Sequence, residues 1–249
     1  MNLSIIVPCY NEEQGISNLV TQLNPVIEQL KENYGVELIF VDDGSTDQTN
    51  QLLHEHFDSK NNIDNKKNIK ITTKIIKHEK NKNLGAAMRT GFAHATGDYI
   101  ATIDSDCTYN PNLLIPMLKM LDKDTDIVTA SPYHPEGKVE NVPNYRLFLS
   151  KSISSIYRLI TKKNIHTFTA LFRVQKREVV ENIPFQSNNF LATAEMLVYS
   201  LIKGYNVKEF PTTLTARKFG SSKMKLLSVI RSHQKFVFKL LKSKIKREI

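Results

Sequence analysis

The sequence predicts an α/β fold in which helices cover both faces of a mostly parallel β-sheet. Short apolar runs rich in β-formers occupy residues 3–9, 36–42, 71–78 and 99–103. Longer segments with helical apolar spacing lie between them, at residues 13–32, 46–57 and 84–96. This alternation is typical of βαβ units, whose strands run parallel. Open parallel sheets bind ligands beyond the carboxyl ends of their strands, so a site is expected just after these strands.

The second half of the chain has a less regular pattern. We predict helices near residues 145–161 and 191–203, strands near 168–174 and 206–212, and a loop at 214–222. From about residue 223 to the end the apolar spacing is helical. The Asn- and Lys-rich segment at 58–70 is interpreted as a solvated surface loop.

The composition is that of an ordinary globular protein. Of 249 residues, 41% are apolar and 24% are charged, which suits one large domain with at most a small appendage. Two cysteines, Cys9 and Cys107, are too few for a disulfide framework and favour a reducing compartment. The first apolar run has no basic leader and is interpreted as a strand rather than a signal peptide. No run approaches the roughly 18 apolar residues that a membrane-spanning helix needs.

The net charge of +9 is concentrated at the C-terminal end. Residues 217–249 hold 11 of the 34 basic residues and one of the 25 acidic ones. The rest of the chain holds 23 basic and 24 acidic residues and is nearly neutral. A basic tail on a neutral body favours an anionic membrane surface, whereas nucleic acid would favour a uniformly basic face. We therefore expect a cytoplasmic protein, peripheral on the inner face of a membrane, with no nucleic-acid partner.

Two polar motifs follow the first two predicted strands. The first, at 7–13 (Val-Pro-Cys-Tyr-Asn-Glu-Glu), ends strand one, and Asn11 is placed to cap the next helix. The second, at 41–47 (Val-Asp-Asp-Gly-Ser-Thr-Asp), has carboxylates that can accept hydrogen bonds from a nucleobase or a ribose. Taken alone, each motif is better explained as an ordinary strand-to-helix turn.

The third motif is the pair Asp104 and Asp106, directly after the strand at 99–103. If the strand continues, both carboxylates point to one side and can face one ion. Hard oxygen ligands suit Mg²⁺ or Mn²⁺, which also bind substrate phosphates. A cation there can neutralise the charge that builds on a diphosphate leaving group. A lone Asp-x-Asp also occurs by chance in surface turns.

Together, the three motifs and residues 83–89 (Asn-Leu-Gly-Ala-Ala-Met-Arg) resemble the inverting family 2 glycosyltransferases. The resemblance continues, in family order, through residues 131–135, 145–146, 169–173 and 217–223. It is closest to the polyprenol-phosphate (dolichol-phosphate) mannosyl- and glucosyltransferase branch. It implies a GT-A fold, a nucleotide-diphosphate sugar donor, a polyprenyl-phosphate acceptor and a Mg²⁺ or Mn²⁺ cofactor. Residues 1–215 are therefore assigned to a GT-A catalytic domain, and residues 216–249 to an acceptor-side loop and a basic helical tail.

The resemblance also implies roles for residues on the donor side. The nucleoside pocket matches three residues of the first motif, Pro8, Tyr10 and Glu12. Asp43 matches the position that binds the base. Asp104 and Asp106 match the pair that holds the metal and the diphosphate, and the same resemblance assigns Asp104 to the nucleotide as well. Where the branch often has a metal-binding Gln, this chain has the shorter Thr108.

On the acceptor side, the usual Ser-Arg-Tyr of the branch is Ser-Pro-Tyr at 131–133, so one arginine is missing. Four other cations fall in family motifs and can hold the acceptor phosphate: Arg146, Arg173, Arg217 and Lys223. Singly, each is equally well explained as a surface ion pair. Arg217 is also expected to act in catalysis beside the two aspartates.

Glu195 has two interpretations. It lies near the position where hydroxyl-accepting relatives carry a catalytic base. A phosphate acceptor is already ionised near pH 7 and needs no base, so we favour a helix residue paired with a nearby arginine. Five histidines show no metal-ligand spacing and are interpreted as structural: His78, His94, His134, His166 and His233.

The C-terminal segment is predicted to be a basic amphipathic helix. Its cations fall at helical spacing, at Arg231, Lys235, Lys239, Lys242 and Lys246. An apolar stripe runs beside them, at Leu227, Ile230, Val237, Leu241 and Ile245. The helix is expected either to dock on anionic lipid or to pack its apolar stripe against the domain.

These observations support one leading hypothesis and two alternatives. In the first, the acceptor phosphate attacks the anomeric carbon in a single in-line displacement that inverts its configuration. The first alternative keeps the donor site but transfers to a sugar hydroxyl, with Glu195 as the base. The second is a nucleotide-sugar-binding protein without catalysis, against which the intact pair of aspartates speaks.

Overall fold

The computed structural model describes residues 1–58, 63–64, 69–220 and 226–245 and confirms the predicted α/β class. Its strands are β1 (Asn2–Cys9), β2 (Gly35–Asp42), β3 (Ile63–Asp64), β4 (Ile69–Lys77), β5 (Tyr99–Thr102), β6 (Ile127–Ser131), β7 (Lys138–Glu140), β8 (Arg173–Lys176), β9 (Val207–Pro211) and β10 (Thr213–Thr215). Its helices are α1 (Glu13–Leu30), α2 (Thr49–Phe57), α3 (Leu84–His94), α4 (Leu114–Lys119), α5 (Asn144–Thr161), α6 (Arg177–Asn182), α7 (Leu191–Lys203) and α8 (Leu226–Ile245).

Eight of the described strands form one sheet in the order β3-β4-β2-β1-β5-β8-β6-β9. The neighbours β4, β2, β1 and β5 are parallel, whereas β8 runs antiparallel to both β5 and β6. From β1 the chain proceeds to β2 on one side and later to β5 on the other. Open α/β sheets bind ligands at such a switch in strand order, outside the carboxyl ends of the strands.

The central strands are buried on both faces because a helix layer covers each face. On one face, α1 packs a stripe with helical spacing into the same core as Leu3 and Ile5. On the other face, α3 lies so close to β1 that a Cβ at Gly91 would come within 2.4 Å of Ile6. Glycine at this position therefore permits the close contact between α3 and the sheet.

A second core joins α5, α7 and α8. Tyr157 of α5, Leu197 of α7 and Phe236 of α8 are buried in it together. The Tyr157 hydroxyl lies 2.7 Å from Nδ1 of His233, and burial lowers the pKa of His233 to about 4. The tail helix thus packs one side against the domain. No helix in the described part of the chain is both long and apolar enough to cross a bilayer.

Several predictions of local structure are wrong. The strand expected at 168–174 begins only at Arg173, and the buried Phe168 and Phe172 lie in irregular backbone before it. Within the segment at 58–70, residues 63–64 and 69–70 are paired strands rather than loop, and residues 59–62 and 65–68 lie outside the described part. The loop expected at 214–222 begins inside β10, and residues 221–222 also lie outside it.

Asn11 does not cap α1 as predicted. Its φ is 51°, and its side-chain oxygen accepts a hydrogen bond from the backbone N–H of Thr46 in the second motif, at 2.8 Å. Glu12 occupies the N-cap position instead, with no side-chain cap. Asn tolerates this left-handed backbone better than most residues, and its amide links two loops rather than one helix turn.

Candidate active site

A cavity of about 1380 Å³ lies at the carboxyl ends of β1, β2 and β5. It takes in all three motifs that the sequence predicts to follow strands. Six predicted donor-side residues line it: Pro8, Tyr10, Glu12, Asp43, Asp104 and Asp106. Thr108, Arg146 and Arg217 line the same cavity. The structure therefore brings together residues more than 200 positions apart in the chain.

The first two motifs are held together by hydrogen bonds between their loops. The backbone N–H of Asn11 donates to the Ser45 hydroxyl at 2.9 Å, and that of Glu12 donates to the Thr49 hydroxyl at 2.7 Å. Asp42 accepts from the Ser45 N–H at 2.9 Å and closes the turn at Gly44. These bonds fix the rim of the cavity at the ends of two adjacent strands, β1 and β2.

Asp43 is 3% exposed, and its carboxylate is anchored through one oxygen. Oδ1 accepts from the Lys82 N–H at 2.9 Å and lies 2.7 Å from Nδ1 of His78. Nε2 of His78 lies 2.9 Å from the Thr90 hydroxyl of α3. Sequence reasoning gave His78 no specific partner. His78 directly follows β4, and Asp43 directly follows β2. Because β2 and β4 are parallel neighbours, this shared position could have linked the two residues.

Both members of the acidic pair are half-buried and line the cavity. The Oδ2 atom of Asp104 is itself buried and has no hydrogen-bond partner among the described residues. Burial and then the neighbouring Asp106 raise the pKa of Asp104 to about 8, against a smaller opposing effect of Arg217. Asp106 reaches the cavity and accepts from the Thr108 N–H at 3.1 Å. Cys107, which follows Asp106, has a φ of 53°, so the backbone turns sharply after Asp106.

Arg217 bridges the first and third motifs. Its Nε lies 2.9 Å from Oδ2 of Asp106, and its Nη2 lies 2.9 Å from Oε1 of Glu12. Burial lowers the pKa of Arg217, but the two carboxylates outweigh that effect and the pKa is raised. A guanidinium paired with two carboxylates at hydrogen-bond distance is a strong charge-assisted contact. Arg217 therefore lies beside the predicted metal pair.

The residues present fit a divalent cation that also binds a substrate. An unpartnered buried carboxylate oxygen is costly unless a cation or a donor satisfies it. Among the residues described, no cluster of three or more His, Cys, Asp or Glu side chains could enclose a metal. Two carboxylates leave most positions of the ion to water and phosphate oxygens, which is the usual protein environment of Mg²⁺. The Thr108 hydroxyl adds at most one neutral ligand.

Of the predicted acceptor cations that the structure describes, Arg146 and Arg217 line the cavity and Arg173 does not. Arg146, on α5, lines the cavity, and its Nε contacts only the Tyr145 hydroxyl, at 3.2 Å. Arg173 is buried and donates to the carbonyl oxygens of Ala170 and Thr193. Burial lowers its pKa to about 10. The assignment of Arg173 to the acceptor phosphate is therefore wrong, because its guanidinium braces the backbone behind the cavity wall. Lys223 lies outside the described residues.

Glu195 is 3% exposed and does not line the cavity. Its Oε2 accepts from the backbone N–H groups of Gln186 and Ser187, at 3.3 and 2.9 Å. The favoured pairing with an arginine is therefore wrong in detail, since Glu195 holds a loop rather than a cation. The alternative role as a general base has no support in this geometry, because the carboxylate does not face the cavity.

The cavity continues from the acidic pair into an apolar groove between α5 and α8. One wall carries Ile153 and Ile156 of α5, and the other carries Ile230, Val237 and Leu241 of α8. Phe238 and Leu241 of α8 line the groove and are 70% and 46% exposed, and Phe148 and Leu159 of α5 are exposed as well. Large apolar side chains that stay exposed along a groove are typical of an interaction site. The helix pair thus offers a non-polar extension to a polar site.

Comparison with known proteins identifies the family of the chain. The model of the family described as glycosyl transferase family 2 matches residues 4–184. The chain belongs to glycosyl transferase family 2. Dolichol-phosphate mannosyltransferase of Pyrococcus furiosus is 29% identical over 244 residues, covering 97% of this chain and 64% of that protein. Polyprenol monophosphomannose synthase of Mycolicibacterium smegmatis is 29% identical over 226 residues, covering 88% and 80%.

Solved structures share the fold of this family 2 protein. Glucosyl-3-phosphoglycerate synthase from Mycobacterium tuberculosis, in complex with Mn²⁺, UDP and glucosyl-3-phosphoglycerate, superimposes with a TM-score of 0.67 at 17% identity. The alignment covers 97% of this chain and 79% of the synthase. The same synthase has been crystallised with Mg²⁺ and UDP. The predicted family and the predicted GT-A fold are thereby confirmed.

Proposed function

We propose that this family 2 protein transfers a hexose from a nucleotide-diphosphate sugar to a polyprenyl-phosphate acceptor at a membrane surface. The observation that carries the proposal is the continuity of the cavity. At one end lie the three polar motifs, and at the other lies the apolar groove between α5 and α8. A substrate with a charged head and a long hydrocarbon chain fits such a combination, whereas a small polar acceptor would leave the groove without a role.

The donor is assigned to the polar end of the cavity. We assign Pro8, Tyr10 and Asp43 to the nucleoside. Asp104 and Asp106 are assigned to a cation bound with the diphosphate, and Thr108 to an auxiliary ligand. The charge supports this assignment, since the pair of aspartates could not approach a diphosphate without an intervening cation. When bound, the cation supplies a counter-charge for the leaving group.

The acceptor phosphate is assigned to the junction of the two halves. Arg146 supports this assignment because it lines the cavity and pairs with no carboxylate in the described part of the chain. Arg217 can turn toward a phosphate once a cation takes its place at Asp106. An ionised phosphate oxygen attacks without a general base, so the buried position of Glu195 is no obstacle. In-line attack opposite the leaving diphosphate inverts the anomeric carbon.

Membrane contact is assigned to the apolar mouth of the groove and the basic tail. Four cations of α8 lie on its described part, Arg231, Lys235, Lys239 and Lys242. Beside them, Phe238 and Leu241 are exposed, and so are Phe148 and Leu159 of α5. A helix with apolar and basic stripes binds an anionic interface, with each cation contributing on the order of 1 kcal/mol. We propose a peripheral position on the cytoplasmic face of a membrane.

The direct test is a transfer assay with the purified chain. Radiolabelled UDP-glucose, GDP-mannose and dTDP-glucose are offered with Mn²⁺ or Mg²⁺ to vesicles that contain polyprenyl phosphate. We expect one donor to yield a labelled lipid of inverted anomeric configuration. Vesicles without polyprenyl phosphate are the matched control. Transfer to a sugar hydroxyl instead of the lipid would refute the proposed acceptor.

A further inference from the structure

The carboxylate of Asp43 is held by a chain of hydrogen bonds that begins on α3. The Thr90 hydroxyl lies 2.9 Å from Nε2 of His78, and Nδ1 of His78 lies 2.7 Å from Oδ1 of Asp43. A carboxylate only accepts hydrogen bonds, so the proton of the His78–Asp43 bond is on Nδ1. Nε2 is bonded to the Thr90 hydroxyl, which can donate to a ring nitrogen or accept from it. Each atom of the imidazole that can form a hydrogen bond is thereby used.

This chain leaves one oxygen of Asp43 for a ligand. Both described hydrogen bonds of the carboxylate, from His78 and from the Lys82 N–H, go to Oδ1. Oδ2 makes none among the described residues, and Asp43 lines the cavity. The side chains of Asp43 and His78 are almost wholly buried, so neither can rotate freely. The free oxygen therefore has a fixed position, and it can only accept.

The two loops around Asp43 are packed closely against each other. Gly44 has a φ of +72°, and a Cβ there would lie 2.5 Å from the backbone carbon of Lys80. The loop after β2 thus touches the loop after β4, which supplies both Lys82 and the cavity-lining Asn81. His78 opens this second loop, with its N–H bonded to the Asp42 carbonyl at 2.8 Å. The ring of His78 is consequently positioned by both strands.

We propose that His78 is a positioning residue for nucleotide selection, acting through Asp43. It fixes Oδ2 of Asp43 as a hydrogen-bond acceptor for a ring N–H of the base, as uracil, thymine and guanine possess. Adenine and cytosine present an unprotonated ring nitrogen at the corresponding edge, which repels a carboxylate oxygen. This inference rests on the proposed use of the cavity by a nucleotide-diphosphate donor. It adds His78 as the residue that positions Asp43, whose contact with the base the family resemblance already implies.

The test measures the affinity of UDP, GDP and CDP with Mn²⁺ by calorimetry. Wild type is expected to bind UDP or GDP at least tenfold more tightly than CDP. We expect His78→Phe to weaken binding of the preferred nucleotide about tenfold, since loss of such a supporting group typically costs 10- to 100-fold. In transfer assays it should raise the donor KM more than it lowers kcat. His78→Gln, which keeps a donor, should recover part of the affinity.

A matched control is available on the surface. His54 also pairs with an aspartate, Asp58, at 2.6 Å, but both are exposed and neither lines the cavity. His54→Phe should leave nucleotide affinity unchanged. Thermal unfolding of each variant with and without nucleotide checks that the fold is retained.

The decisive arm is the double variant His78→Phe with Asp43→Ala. If His78 acts through Asp43, the double variant binds no more weakly than Asp43→Ala alone. Additive losses, or a folded His78→Phe with wild-type affinity and base preference, would overturn the inference while leaving the proposed function standing. Failure of the wild type to bind any of these three nucleotides, or dTDP, would instead overturn the proposed function, and the inference with it.

Discussion

Arg217 and Asp106 lie 2.9 Å apart, and the same guanidinium also reaches Glu12. A side-chain cation thus rests against the carboxylate that is predicted to hold a metal ion. A divalent cation and Arg217 should therefore compete for Asp106 until a diphosphate draws Arg217 away. Because Arg217 lies in the loop after β10, the position of this loop should depend on whether a metal ion is bound at the acidic pair.

Replacing Arg217 with Met should separate metal binding from transfer. The Mn²⁺ affinity of the nucleotide-free protein should rise about tenfold, because the competing cation is gone. Sugar transfer should nevertheless fall by about 100-fold or more, since the contact with the charged substrate is lost. Electron paramagnetic resonance of free Mn²⁺ gives the first value, and the lipid assay gives the second. Unchanged Mn²⁺ affinity would contradict the competition.

Arg146 should govern affinity for the acceptor. Arg146→Gln removes a cavity cation that has no carboxylate partner in the described structure, so the fold should tolerate it. The KM for polyprenyl phosphate should rise about tenfold, while the affinity for nucleotide stays unchanged. Lys163→Gln, an exposed cation just beyond α5, is the control and should alter neither value. An equal loss of nucleotide affinity would show that Arg146 contacts the donor rather than the acceptor.

The exposed apolar residues of α8 should control binding to lipid. Phe238→Ser with Leu241→Ser removes two exposed apolar side chains beside the groove. Binding to vesicles of anionic phospholipid should weaken by at least tenfold in a sedimentation assay. Ile202→Ser is the control, because Ile202 of α7 is similarly exposed but does not line the groove. If all variants bind the vesicles equally, the exposed apolar residues of α8 do not contribute to membrane binding.

His233 should make stability depend on pH. Burial lowers its folded-state pKa to about 4, below the ordinary value of 6.5, so the folded protein binds fewer protons than the unfolded chain between these values. Its contribution is therefore complete above pH 6.5 and declines as the pH falls toward 4. Between pH 7 and pH 5 the loss should be up to about 2 kcal/mol. Urea unfolding of wild type and His233→Gln at both pH values measures it. A variant with the same pH dependence as wild type would contradict this.

The sequence predicted the parallel half of the fold because its signals are local. Each of β1, β2 and β5 combines an apolar run with a polar motif at its carboxyl end, so the positions of Asp43 and Asp104 follow from the strands. The assignment of Arg217 to the site came only from the family resemblance, since its partner Glu12 is about 200 residues away in the chain. The antiparallel strand β8 begins later than predicted, at Arg173, because the apolar residues before it are buried outside any regular strand.

Burial explains the errors among the charged residues. A pattern cannot tell whether Arg173 meets water or backbone carbonyls, and here it meets the carbonyls of Ala170 and Thr193. Glu195 looks like a base in sequence but holds two backbone N–H groups in the fold. The role of His78 was missed because its partner Asp43, which directly follows the neighbouring strand β2, is 35 positions away in the chain.

The proposed transfer reaction depends most on the two aspartates as joint ligands of a cation and a nucleotide diphosphate. The most direct measurement is Mn²⁺ binding, followed by electron paramagnetic resonance, with and without saturating UDP or GDP. We expect nucleotide to tighten Mn²⁺ binding in wild type and in the surface variant Asp124→Asn. Asp104→Asn and Asp106→Asn should each lose this tightening together with sugar transfer. Wild-type Mn²⁺ and nucleotide binding in either variant, with transfer intact, would show that the two aspartates do not hold the cation.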